Sequence, residues 1–122
     1  MFVGLVRLQL FLPAARSLKD RRAVVRRALD RARARHPVSA CEAGPAERWQ
    51  LATLAAVTVS GDASVARDTL DAFTRTVASA CAGEAEIVRR ETTVDSYPDD
   101  EPFGDDELTT LRREPDDDAD EA

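Results

Sequence analysis

The chain predicts a two-layer α+β sandwich built in the order strand, helix, strand, strand, helix, strand. Three observations lead there. Residues 2–12 alternate between an apolar row (Phe2, Gly4, Val6, Leu8, Leu10, Leu12) and a mixed one (Val3, Leu5, Arg7, Gln9, Phe11), the signature of a strand covered on one face. Residues 17–36 and 62–82 instead place their apolar side chains at the helical period. Further strand-like runs lie between and after those two stretches. With 122 residues, 43% of them hydrophobic, there is material for one small domain with a single core.

Each element has its own justification. Phe2 to Leu12 reads as a central strand, and Pro13-Ala14-Ala15-Arg16 turns the chain. In the first helix Ser17 can accept the amide of Asp20 as an N-cap, Asp20 suits the positive helix end, and Pro37 forbids continuation. Leu18, Val25, Ala28, Leu29, Ala32 and His36 fall on one face; Arg21 and Arg22 sit on its two shoulders, with Lys19, Arg26, Arg27, Arg31 and Arg33 elsewhere. Val38 to Ala43 is a short strand, Gly44-Pro45-Ala46 a turn, and Gln50 to Ser60 a long strand whose inward row the pattern leaves open. Gly61 breaks it. Asp62 caps a helix running to about Ala82 with Ala66, Leu70, Phe73, Val77 and Ala80 along one face, and Gly83 stops it. The last strand runs from Ala85 to about Val94. Right-handed crossovers then put both helices on one face of a four-stranded antiparallel sheet, a ferredoxin-like βαββαβ sandwich with its other face uncovered.

Charge is unevenly distributed. The total is -6. Residues 16–35 carry nine basic side chains against Asp20 and Asp30, or +7, whereas residues 98–122 carry twelve acidic and two basic groups, or -10. Subtracting -10 from -6 leaves +4 for residues 1–97. The expected organisation is a folded domain over 1–97 and a disordered acidic tail over 98–122, whose few apolar groups cannot offset the entropy of ordering. EF-hand spacing is absent from the tail, so no calcium loop is expected.

Several function classes are disfavoured. No apolar run approaches membrane-spanning length, and Arg7 and Gln9 interrupt the N-terminal run before a signal peptide is complete, so a cytoplasmic protein without membrane contact is expected. Cys41 and Cys81 lie far apart in no metal-binding spacing and read as two buried free thiols. Neither G-x-x-x-x-G-K nor G-x-G-x-x-G occurs. The single histidine, His36, ends a helix beside Pro37 and reads as structural; Glu42 and Glu47 read as solvated or paired with arginine. No catalytic residue, metal or small-molecule cofactor is predicted.

Phe2-Val3-Gly4-Leu5, Ser17-Leu18-Lys19 followed by Arg21-Arg22, Val38-Ser39 with Glu42, Trp49-Gln50, and Val59-Ser60 with Asp62 together resemble the small bacterial YlxP-like family, a domain of unknown function. The likeness covers residues 1 to about 95. It implies a ferredoxin-like fold and a connection to translation, and brings no activity with it. The chain departs from the pattern at Ala23, where a basic residue is common, and in its acidic tail.

The functional expectation is a non-enzymatic RNA- or ribosome-associated accessory protein, contacting rRNA or a ribosomal particle through Lys19, Arg21, Arg22 and Arg26, with Arg7 and Trp49 as further contacts. Trp49 suits either stacking on a base or packing under the hairpin. Sixteen of the seventeen basic residues are arginine, so a solvated, arginine-biased helix face is the plain alternative for the charge itself. The alternative function is a protein-interaction or homodimer module acting through the open sheet face.

Overall fold

A computed structural model of the chain describes residues 1–44 and 50–98. Its elements are β1 (Phe2–Phe11), α1 (Leu18–Arg35), β2 (Ser39–Ala43), β3 (Leu51–Ser60), α2 (Ala63–Ala80) and β4 (Glu86–Ser96). The sheet order is β2-β3-β1-β4 with every pairing antiparallel, and the expected ferredoxin-like sandwich is the fold observed. Trp49, the Pro45-Ala46 turn and the acidic tail all fall outside the described residues.

β1 is central because its sequence suits no other position. Val6, Leu8, Leu10 and Leu12 are buried under the helices, and β3 and β4 flank the strand on either side. The inward row of β3 is Ala52, Leu54, Ala56 and Thr58. From α2 come Ala66, Leu70, Phe73 and Val77; from α1, Val24, Val25, Ala28, Leu29 and Ala32. Small residues on β3 and α1 let the helices approach the sheet closely while the larger side chains of β1 and α2 fill the space between. Gly4 allows one such approach: a Cβ there would lie 2.9 Å from Leu70 Cδ1 and 3.6 Å from Ala66 Cβ.

The helix ends follow the expected chemistry. Ser17 Oγ accepts the Asp20 amide at 3.1 Å, and the carboxylate of Asp62 accepts the amides of Ser64 at 2.8 Å and Val65 at 3.3 Å. The Ser64 hydroxyl, followed by those two amides, holds the Asp62 carboxyl below the ordinary carboxylate value. Gly83, at φ +86°, carries the chain out of α2 in a conformation that other residues rarely adopt. His36 ends α1 with its Nε2 2.6 Å from Thr76 Oγ1, joining the two helices.

Three expectations are corrected. Arg21 is not a shoulder residue: it is 1% exposed, because the buried stripe of α1 is rotated to include Arg21 and Val24 and leaves Leu18 at its exposed margin. Cys41 is exposed on edge strand β2, where its side chain points away from the helices; only Cys81 is buried, and burial raises its thiol pKa. The last strand continues past Val94 to Ser96, because the antiparallel ladder with β1 runs as far as Phe2.

Burial of Arg21 is compensated. Its Nε donates to the Leu51 carbonyl at 2.8 Å and its guanidinium pairs with the Glu42 carboxylate. One side chain on the first turns of α1 thus holds the end of β2 to the start of β3, closing the base of that hairpin from the helix side.

Two stability measurements test this packing. Gly4→Val should lower unfolding free energy by about 1–3 kcal/mol by forcing Leu70 aside. Adding Leu70→Ala should then cost less than Leu70→Ala costs alone, a coupling that additive losses would refute. Glu42→Ala should cost about 3–5 kcal/mol, since it leaves a buried guanidinium without its counter-charge, and Arg21→Ala should cost less because the freed Glu42 reaches water. Denaturant titration of the two variants checks the order, and equal losses would contradict it.

Candidate functional site

The amphipathic pattern of α1 sends its unburied arginines to two sides. Arg27 reaches across to pair with Glu84, beyond the end of α2. On the other side Lys19, Arg22 and Arg26 follow at helical spacing toward β2. There Arg22, Val25, Arg26, Leu29, Asp30 and Arg33 of α1 face Glu42 of β2 across a cleft of about 260 Å³. Val25 and Leu29 form its apolar floor.

Most charges lining this cleft are already engaged. Glu42 is taken by Arg21. Arg33 donates from Nε to the Ala40 carbonyl at 3.0 Å and lies 3.6 Å from Asp30. Arg22 and Arg26 have no carboxylate partner among the described residues. Two guanidiniums one helical turn apart, over an apolar floor, offer forked donors suited to carboxylates. Among the described residues β2 pairs only with β3, so its outer edge borders the same cleft, and Arg33 already covers one carbonyl of that edge.

The remaining site residues expected from sequence do not join them. Arg7 lies on the open sheet face and pairs with Glu91, beside a depression of about 160 Å³ that it shares with Gln9, Thr53 and Arg89. Arg89 lies 3.9 Å from the same Glu91, so both guanidiniums there share one carboxylate partner. Arg21 is inside the protein and unavailable to any partner. Trp49 lies outside the described residues. Missed from sequence were the floor residues Val25 and Leu29 as part of a site, and Arg33 as the residue covering the β2 edge. Only the partnership across the cleft reveals these roles. Among the described residues, no group of three or more His, Cys, Asp or Glu side chains could hold a metal ion.

Solved structures resemble the fold. One is assigned as an antibiotic biosynthesis monooxygenase from Chloroflexus aurantiacus J-10-fl, with TM-score 0.49 and 17% identity over 85% of this chain and 100% of that one. Another is SnoaB, a cofactor-independent oxygenase from Streptomyces nogalater, with TM-score 0.46 and 14% identity over 84% of this chain and 98% of that one. These likenesses concern the fold alone. No curated protein matches the sequence.

The functional expectation is corrected at this point. The solved structures reported above are described as a monooxygenase and an oxygenase, not as RNA- or ribosome-associated proteins. Within the chain, Arg21 of the expected RNA surface is buried and committed to Glu42, and Arg7 is committed to Glu91. The RNA- or ribosome-associated reading is withdrawn, and with it the open-sheet interaction module named as its alternative. The family model described as a protein of unknown function, DUF503, matches residues 3–92, and the chain belongs to that family.

Proposed function

We propose that the domain is a binding module that takes a carboxylate-rich segment of a protein partner into the cleft between α1 and β2. The observation that carries this reading is the pair of arginines, Arg22 and Arg26, left without carboxylates above the apolar floor of Val25 and Leu29. From Lys19 to Arg33 is fourteen helical steps, or about 21 Å, the length of roughly six residues of extended peptide. A segment of that length with alternating acidic and apolar side chains meets both the guanidiniums and the floor. The reading assigns the cleft a binding role and no catalytic step. It also keeps two expectations from the sequence: the YlxP-like resemblance within the unknown-function family, and a cytoplasmic setting. No helix among the described residues is long and apolar enough to cross a membrane.

Fluorescence anisotropy with a labelled twelve-residue Asp/Leu peptide tests the proposal. The full-length protein should bind it, and Arg22→Glu combined with Arg26→Glu should weaken binding at least about tenfold, the loss of one or two charge-assisted hydrogen bonds. The unfolding midpoint should stay within about 0.5 kcal/mol of the parent, as expected for exposed substitutions. Arg7→Glu should leave binding unchanged. Equal binding by the doubly reversed variant, or preference for a structured RNA of matched charge, would overturn the reading.

A further inference from the structure

We infer that the acidic C-terminal segment of the same chain, residues 105–121, occupies the α1–β2 cleft and competes there with external acidic ligands. The inference rests on the cleft reading above and names its resident occupant. Three observations converge on it.

The first is charge. Residues 99–122 hold twelve carboxylates and two arginines, or -10, while residues 1–98 hold the complementary +4. Within those 98 residues, the cleft pairs its own Glu42 and Asp30 with Arg21 and Arg33 and leaves Arg22 and Arg26 over. The second is composition: Leu108 and Leu111 stand between the acidic runs 105–107 and 116–118, so one stretch carries both carboxylates and groups for the floor of Val25 and Leu29.

The third is position. β4 ends at Ser96 opposite Phe2, and Tyr97 still exchanges backbone hydrogen bonds with Met1. Phe2 also faces Ser60 of β3, and the neighbouring Thr58 bonds the carbonyl of Pro37 just beyond α1. The chain therefore leaves the sheet at the end where α1 finishes, with β2 on the opposite edge three strand spacings away, roughly 14 Å. Seven residues from Pro98 to Asp105 span at most about 25 Å, so the acidic runs can reach Arg33, Arg26 and Arg22. Tethering to the same chain supplies an effective concentration of order mM, ahead of most free ligands.

Lys19 provides a direct test, since it is the only lysine in the chain and precedes Arg22 and Arg26 on the same helical stripe. Treating the dilute full-length protein with a zero-length carbodiimide coupler should form amide bonds between Lys19 Nζ and carboxylates of residues 105–121, in a product of monomer mass located by peptide mass spectrometry. Yield should fall several-fold in high salt, where screening shortens to about 3 Å at 1 M, and should fall likewise in the Arg22→Glu, Arg26→Glu variant. Coupling confined to the N-terminal amine, or equal coupling in the reversed variant, would overturn the inference.

The companion measurement uses full-length protein with Asp116, Asp117 and Asp118 changed to Asn. It should bind the labelled acidic peptide about three- to tenfold more tightly than the parent at low salt, with the difference closing as salt rises. If both proteins bind the peptide equally and Lys19 does not couple to the segment, the cleft is a binding site without this occupant. If neither binds the peptide, the cleft reading itself fails.

Discussion

The structure depends on the alternation along β1. One row of that strand buries completely beneath two helices while the other faces outward, and only a central position with a neighbour on each side satisfies its backbone groups. A one-residue slip would send Val6, Leu8 and Leu10 to the open face and bring Arg7 and Gln9 into the core, so the register is strongly specified. Everything else is arranged to cover that row. α2 lies over it through Leu70, Phe73 and Val77, with Gly4 permitting the closest approach; α1 covers the adjoining inner row of β3 through Val25, Ala28 and Ala32.

Electrostatics then sorts the arginines of α1 by what lies opposite them. Arg21 meets a carboxylate and a backbone carbonyl and goes inside. Such a burial contributes more to fixing how α1, β2 and β3 meet than to net stability, because desolvation consumes much of the attraction. Arg27 with Glu84 and Arg90 with Asp71 are largely solvated pairs, each contributing about 0–1 kcal/mol. Arg22 and Arg26 meet no carboxylate among the described residues. The functional argument therefore turns on what remains after internal pairing, and a gross local charge of +7 overstates what a partner encounters.

The same reasoning separates the sheet-face depression from the α1–β2 cleft. On the open sheet face, Arg7 and Arg89 flank Glu91, so each guanidinium there already has a carboxylate within the sheet. In the α1–β2 cleft, acidic residues are already claimed and the surplus is cationic. A carboxylate ligand gains little at the first site and replaces water around two guanidiniums at the second. An acidic segment in the same chain makes that surplus a matter of intramolecular balance as well as of recognition.

Element order, helix caps, the central place of β1 and the sandwich class were determined by sequence alone, because they follow from local periods and local donors: alternation at 2–12, Ser17 and Asp62 at the caps, Pro37 and Gly83 at the stops. The inward row of β3 was not legible, since Leu51 to Ser60 is apolar or small on both faces and only packing beneath the helices chooses between them. Burial of Arg21 was decided by tertiary structure: a guanidinium at that helical position reads as solvated until Glu42, twenty-one residues away, is brought opposite it. Exposure of Cys41 was decided the same way, by the sheet face on which β2 places it. The cleft belongs with these. Its basic side was written in the helix, but which arginines stay unpaired depends on contacts among residues distant in sequence, and local pattern carries no record of them.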